Sequence, residues 1–272
     1  TLGNYLDNSK ISKYFINYHI IPMVAAIWSM PFSKAKDIPF ELFLNFFNNH
    51  GLFKLKNRPQ WYTVKNRSRT YVNKILNKIS GEHYKNYKIN LIKRHKENIE
   101  IFYGEKNEFF VYDKVVVATH ADEALSILEK PTDEEKNLLS NFKYKSNLAI
   151  IHTDQNQMPR NKKAWSAWNA KLSKNVRENS SITYWLNLLQ NLKIDEDIFL
   201  WLNPFDNIEE KKILNKVTFT HPYYDKLALE NQTRLKKIQN VNNTLFCGSY
   251  FGYGFHEDGI TSAIDMLKSF HD

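Results

Sequence analysis

Residues 115–119 read Val-Val-Val-Ala-Thr and pass at once into His120-Ala-Asp. A continuous apolar run ending on a short polar junction is the pattern of a strand buried on both faces that feeds a loop and then a helix beginning near Asp122. The same order recurs at the end of the chain, where Thr244-Leu-Phe-Cys-Gly leads into a Tyr- and Gly-rich loop and then a helical segment. Two such strand–loop–helix junctions point to a mixed α/β (α+β) fold.

The second junction, from Cys247 to Ile260, contains Gly248, Gly252, Gly254 and Gly259, four of the eight glycines in the chain. Glycine lets backbone approach a ligand closely, and a helix start offers free N–H groups and the positive end of a dipole. With its start placed near Gly259, this helix is a candidate site for a phosphate or another electron-rich group. A flexible glycine turn accounts for the composition equally well. Gly252-x-Gly254 lacks the third glycine of a dinucleotide fingerprint, and no Gly-x-Gly-x-x-Gly occurs in the sequence.

Between the chain start and the first junction the hydrophobic period changes. Pro39 suits a first helical turn, and Phe40, Phe43, Leu44 and Phe47 follow at i, i+3, i+4 and i+7, with Gly51 closing the helix. From Ile89 the period shortens. Ile99 and Ile101 alternate with polar neighbours, Gly104-Glu-Lys-Asn forms a turn, and residues 109–112 return as a strand. Thr132 with Glu135 makes a capping box for a helix running to Asn141. Three more strands are expected at 147–152, 182–186 and 198–202. In the terminal helix, Ile260, Ala263, Ile264 and Leu267 fall on one face.

The chain carries 38 Lys and Arg against 29 Asp and Glu, a formal charge of +9. The basic residues are scattered, without a zinc-finger spacing or RNA-recognition motif, so no nucleic acid is expected as partner; anionic lipid and phosphate-bearing cofactors remain. Cys247 is the only cysteine, which rules out an intrachain disulfide and makes a cytoplasmic setting the default. The apolar stretch 20–30 contains Pro22 and is too short to span a bilayer, and no signal peptide is visible. No paired His or Cys spacing suits a metal. Glu257 and Asp258 stand before a helix, a capping position rather than a catalytic dyad.

Several segments together resemble the flavin-containing amine oxidase superfamily, which includes phytoene desaturases and protoporphyrinogen oxidases. They are Pro22-Met-Val-Ala-Ala-Ile-Trp-Ser, Phe46-Phe-Asn-Asn-His-Gly-Leu, Arg58-Pro-Gln-Trp, the junction at 115–122, Ala164-Trp-Ser-Ala-Trp-Asn, Ile182-Thr-Tyr-Trp-Leu-Asn-Leu-Leu-Gln, and Phe246 through Gly259. Within the superfamily they are most similar to a bacterial NAD/FAD-binding branch associated with cyclopropane-fatty-acid synthases. The resemblance implies FAD as cofactor, a partial Rossmann-like FAD domain interleaved with a helix-plus-antiparallel-sheet substrate domain, and dehydrogenase or desaturase chemistry on an apolar or lipid acyl substrate.

On that resemblance, residues 63–125 and 241–272 are the remnant of the FAD domain, and 1–62 with 126–240 the substrate domain. Thr119, His120, Gly248, Gly254, Glu257, Asp258, Gly259 and Ile260 are the candidate cofactor-binding residues. Trp28, Trp61, Trp168, Tyr184 and Tyr253 are candidates to line an apolar substrate cavity, against a reading of each as ordinary core. No catalytic side chain is assigned, because a flavin accepts the hydride itself. Two positions depart from the family pattern. Asn66 and Arg67 stand where paired glycines are expected, and Ser249 stands where an acid often follows the last strand. The family's nucleotide-binding glycines lie upstream of these segments, and the chain opens at Thr1 directly into helix-like sequence. The expectation is therefore a C-terminal portion of a flavoenzyme, inactive alone and peripheral at an anionic membrane face. The alternative is a non-catalytic lipid- or protein-binding module that kept the fold.

Overall fold

The change of period at Ile89 separates a helical segment from a strand-rich one. The computed structural model describes residues 1–172 and 181–270. In chain order its helices and strands are α1 (Leu2–Asp7), α2 (Lys13–Phe15), α3 (Ile21–Ile27), α4 (Phe40–Asn49), α5 (Arg69–Leu76), β1 (Ile89–Arg94), β2 (Ile99–Tyr103), β3 (Glu108–Tyr112) and β4 (Val115–Val117). There follow α6 (Ala121–Ile127), α7 (Asp133–Leu139), β5 (Lys143–His152), β6 (Trp168–Lys171), β7 (Ser181–Trp185), α8 (Leu186–Leu189), β8 (Phe199–Leu202), β9 (Ile213–Tyr223), α9 (Lys226–Gln232), β10 (Thr244–Phe246) and α10 (His256–Leu267). The chain forms two compact units, Thr1–Gly81 with Lys145–His221 and Glu82–Tyr144 with Pro222–Asp272. Residues 63–81 thus cluster with the first unit, and 126–144 and 222–240 with the second.

Unit one combines helices with a sheet in the order β6-β7-β8-β5-β9. The pairs β6/β7, β7/β8 and β8/β5 are antiparallel. Pro39 precedes α4 as expected, and Gly51 at φ 62 follows its end. The buried stripe of α4 is Leu42, Phe43, Phe46 and Phe47, whereas Leu44 is exposed. This corrects the expected face by part of a turn. Positions 39, 42, 43, 46 and 47 satisfy the 3.6-residue period as well as 40, 43, 44 and 47 do, and only the neighbouring elements decide between them. Each of the four buried side chains contributes about 1.5–3 kcal/mol through area removed from water. A π-helical turn, Ile16–Ile20, joins α2 to α3, and Pro22 sits in the first turn of α3. Among the described residues no helix is long and apolar enough to cross a membrane.

On β5, His152 is fully buried beside Phe199, with ring centroids 5.4 Å apart. Its Nδ1 accepts a hydrogen bond from the Asp154 backbone at 3.1 Å, which puts the proton of the neutral ring on Nε2. That Nε2 is buried without a hydrogen-bond partner among the described residues. Burial lowers the His152 pKa from 6.5 to about 4, against the opposing pull of Asp154. A histidine that resists protonation when folded stabilises the protein fully above pH 6.5, and loses that contribution as the pH falls from 6.5 to about 4. The loss in that window is about 1.4 kcal/mol per pH unit. His152→Asn is expected to flatten this limb in urea titrations run at successive pH values. Parallel profiles for the two proteins would show that His152 does not carry it.

Unit two contains an antiparallel meander, β1-β2-β3, and a separate parallel pair, β4 with β10. The capping box at Thr132 and Glu135 forms as read from the sequence, and α7 ends at Leu139. Expectation and structure differ at β4. Val115 and Val117 are buried, but Val116 is 39% exposed. A strand in a two-stranded sheet has only one neighbour, so β4 is not enclosed as the apolar run suggested.

Candidate functional site

The parallel register Thr244↔Val115, Leu245↔Val116 and Phe246↔Val117 brings the carboxyl ends of β4 and β10 side by side. The two junctions singled out in the sequence are therefore neighbours, although more than a hundred residues separate them. The Cys247 N–H donates to the Val117 carbonyl at 3.2 Å, extending the pairing to the edge of the loop. A β-carbon at Gly248 would lie 3.4 Å from the Thr119 carbonyl oxygen and 2.7 Å from the Tyr250 ring. Gly248 is thus small so that the two loops and Tyr250 can pack. Open α/β sheets place ligands at this end of their strands.

On the first junction, His120 is the N-cap of α6, and its backbone N–H donates to Glu123 Oε2 at 3.3 Å. Its ring stacks on Tyr144 with centroids 4.3 Å apart. The Tyr144 hydroxyl accepts from the Ala121 N–H at 2.9 Å, and burial pushes its phenol well above the ordinary tyrosine value. Thr119 is exposed beside this stack, its hydroxyl donating to the His120 carbonyl at 3.1 Å. Sequence reading missed Tyr144, because nothing local ties it to a residue 24 positions earlier.

On the second junction the structure corrects the helix start. α10 begins at His256, not near Gly259, and Asp258 Oδ2 accepts from the Phe255 N–H at 2.9 Å. Asp258 therefore caps the helix, as its position suggested. The first turn belongs to His256, Glu257 and Asp258, whereas the Gly259 N–H is already committed to the Phe255 carbonyl at 3.2 Å. The first turn, rather than Gly259 and Ile260, therefore forms the positive end of the helix dipole. A β-carbon at Gly259 would sit in ordinary van der Waals contact with the loop, 3.9 Å from the Ser249 nitrogen. Ser262 ties the helix to the loop, its hydroxyl accepting from Gly248 N at 2.9 Å and donating to the Gly259 carbonyl at 2.7 Å.

Gly254 adopts φ 94, and a β-carbon there would come 2.9 Å from the Tyr224 hydroxyl. Both facts favour glycine for packing reasons alone. The apolar face expected for α10 is only partly inward. Ala263 packs against the core cluster of Leu245, Cys247 and Met266, and Ser262 is buried, whereas Ile260, Ile264 and Leu267 are exposed. Gln239 and Gln232 were not singled out beforehand. Gln239 accepts from Phe246 N at 2.9 Å and donates to Phe246 O at 2.7 Å, so its amide caps the outer edge of β10. Gln232 donates to the Tyr250 and Gly252 carbonyls at 3.0 and 2.5 Å. A cleft of about 320 Å³ runs along α10 past Gln232, Gly252, Asp258 and Ser262.

The aromatic candidates divide between the units. In unit one Trp28 lies 5.2 Å from Phe46, Phe46 stacks on His50 at 3.9 Å, and His50 lies 5.8 Å from Trp61. One aromatic ladder thus joins Trp28 to Trp61 through the helix α4. Trp28 is buried with its indole N–H unpartnered among the described residues, whereas Trp61 is half-exposed. Trp168 and Tyr184 form a cross-strand pair at 5.7 Å, and burial pushes the Tyr184 phenol up to about 12. Tyr253 lies in unit two. At the positions where paired glycines were expected, Asn66 and Arg67 both adopt left-handed backbone, with φ 62 and 69. The conformation the glycines would supply is present, held by residues that adopt it at a cost of about 1–2 kcal/mol for arginine. These two residues line a cavity of about 800 Å³ with Lys65, Arg69 and Lys193.

One unit of helices and an antiparallel sheet and another carrying a parallel strand pair make a mixed α/β fold of the kind found in solved oxidase structures. A fatty acid isomerase from P. acnes that produces CLA superposes with TM-score 0.62 at 12% identity, over 100% of this chain and 73% of that one. A cyclohexylamine oxidase from Brevibacterium oxydans gives 0.59 at 9% identity, over 100% and 68%. A putrescine oxidase variant redesigned in cofactor binding gives 0.62 at 10% identity, over 98% and 67%. The chain shares the fold of these proteins and spans about two thirds to three quarters of their length. No protein-family model matches the sequence, and no curated protein matches it.

Proposed function

We propose that this chain is the C-terminal portion of an FAD-dependent oxidoreductase of the dehydrogenase or desaturase type. The carrying observation is the pairing of the two strand–loop–helix junctions at one end of β4 and β10. When bound there, the flavin supplies the hydride acceptor. The chain's own residues supply the wall beside it. The first turn of α10 puts the positive end of its helix dipole at the second junction, and the His120–Tyr144 stack holds the neighbouring loop. Of the FAD-side residues 63–125 and 241–272, those at 82–125 and 241–272 share one compact unit. Of the substrate-side residues 1–62 and 126–240, those at 1–62 and 145–221 share the other unit, and its aromatic ladder and the Trp168–Tyr184 pair suit an apolar chain. A lipid acyl substrate is in keeping with the fatty acid isomerase among the structures of this fold.

The nucleotide's phosphates need a Gly-x-Gly-x-x-Gly turn that the sequence lacks. The place for such a segment follows from hydrogen bonding. Gln239 caps the outer edge of β10, while β4 has no second strand neighbour among the described residues. An added strand therefore pairs with β4 and covers Val116. The test is spectroscopic. The 272-residue chain alone is expected to purify colourless. The same chain extended at its N-terminus by the strand–Gly-x-Gly-x-x-Gly–helix encoded upstream should carry a flavin band near ~450 nm. Stoichiometric flavin on the chain alone overturns the need for a completing segment. A colourless extended protein, or the lack of such an upstream frame, overturns the flavoenzyme reading itself. The net charge of +9 adds a second element, peripheral attachment to an anionic membrane at which a lipid substrate is met.

A further inference from the structure

We propose that the protein docks onto anionic bilayers through one aromatic pocket of unit one, formed by α1, the α2–α3 segment, α4 and the turn after it. The proposal rests on the reading of a membrane-attached enzyme and identifies the surface that makes the contact. The pocket encloses about 230 Å³, and its lining includes Tyr5, Phe15, Phe40, Phe43, Leu44 and Phe53, with no Asp, Glu, Lys or Arg. Its rings form a connected set. Tyr5 stacks on Phe40 at 4.2 Å, Phe40 on Phe43 at 6.1 Å, and Phe53 lies 5.3 Å from Phe47 and 6.0 Å from Phe43. The floor is core, because Phe43 and Phe47 are buried, but the rim is not. Tyr5, Phe15, Leu44 and Phe53 are all exposed. Next to the rim in sequence, Tyr14 is 74% exposed and stacks on Tyr18 at 4.7 Å, and Leu55 is 92% exposed. A soluble surface rarely carries so many large apolar side chains together without a partner.

Charge selects the partner. Residues 1–62 hold seven Lys and Arg against three Asp and Glu. Two of the acids, Asp7 and Asp37, are paired with Lys36 and Lys34 at 2.7 and 3.1 Å. The lysines next to the rim, Lys10 and Lys13 on one side and Lys54 and Lys56 on the other, are exposed and form no ion pair among the described residues. Apolar and aromatic rim residues between flexible cations are the composition of an interfacial anchor. Tyr and Phe rings settle at headgroup depth, and lysine stems reach outward to lipid phosphates. A protein partner of ordinary composition would call for charges of both signs around the patch. An anionic bilayer calls for cations and ring edges, and the rim offers both.

Co-sedimentation with phosphatidylcholine vesicles, with and without phosphatidylglycerol, tests the assignment. The chain should bind only the vesicles containing phosphatidylglycerol, less as salt rises. Lys54→Gln/Lys56→Gln should weaken that binding about thirtyfold. Phe15→Ser/Phe53→Ser should weaken it on the order of a hundredfold while leaving the circular dichroism spectrum unchanged. Val217→Ser/Phe219→Ser, on the exposed strand β9 of the same unit, should bind as the parent does. If the parent binds and the Phe15/Phe53 variant binds equally well, the surface is misassigned although membrane attachment stands. If the parent ignores anionic vesicles, attachment and surface fail together. If the parent is a dimer that Phe15→Ser/Phe53→Ser dissociates without loss of lipid binding, a second copy covers the pocket and the proposal is overturned.

Discussion

Arg94→Met is expected to lower the unfolding free energy of unit two by about 3–5 kcal/mol. Arg94 ends β1, its side chain is 5% exposed, and it faces Glu135 on α7, which is 0% exposed. The pair is bidentate. Nη1 donates to Oε1 at 2.6 Å and Nη2 to Oε2 at 2.9 Å, while Nη2 also donates to the Lys130 carbonyl at 2.7 Å. Glu135 is at the same time the acid of the α7 capping box, accepting from Thr132 N at 2.7 Å. Taking away the guanidinium leaves a fully buried carboxylate with one backbone donor, and the desolvation of that charge is no longer offset. Arg94→Met/Glu135→Leu removes both charges and should recover most of the loss. The capping-box bond, worth about 1 kcal/mol, would stay lost. All six tryptophans lie in unit one. Urea unfolding of unit two is therefore followed by far-ultraviolet circular dichroism rather than by tryptophan emission. A loss below about 1 kcal/mol for the single variant would show that the pair is hydrated or loosely held.

Gly259→Val is expected to abolish flavin retention in the N-terminally extended protein while leaving its stability unchanged or slightly raised. Gly259 sits inside α10, where glycine costs about 1 kcal/mol relative to alanine, so valine carries no helix penalty against it. A β-carbon there would be in ordinary contact with the loop, 3.9 Å from the Ser249 nitrogen. The urea midpoint therefore separates a clash of the valine methyls with the loop from a clash with a ligand. Gly248→Val is the contrasting case, because its β-carbon would strike Tyr250 at 2.7 Å and destabilise the loop directly. Flavin content from the visible spectrum and the urea midpoint are to be read on the same preparations. Full flavin content in Gly259→Val would remove Gly259 from the site, whatever happened to Gly248→Val.

The local signals that set helices and strands were readable without coordinates. Thr132 and Glu135 announce their capping box within four residues. Pro39 and Gly51 bracket α4, and the alternation around Ile99 and Ile101 marks a strand of the β1-β2-β3 meander. Such interactions close over one turn or one hairpin, so the residues that make them are neighbours in the chain. The two junctions at 115–122 and 247–260 were readable for the same reason, each being a strand, a loop and a helix in succession.

Phase and long-range partnership were decided elsewhere. The 3.6-residue period admits two overlapping stripes on α4, and packing of the neighbouring helices selected Leu42 and Phe46 over Leu44. On α10 the stripe of Ile260, Ile264 and Leu267 is periodic yet exposed, because the loop holds the helix by Ser262 and Met266 instead. The start of α10 was misplaced by three residues, since Phe255 gives no Ser, Thr or Asp signal at the cap. Nothing near His120 names Tyr144, and nothing near Phe246 names Gln239 as the amide that closes the edge of β10. The sequence by itself determined the elements and the two loops able to meet a ligand. Only the tertiary structure put those loops side by side, because parallel strands pair through contacts between segments far apart in the chain, which no local pattern encodes.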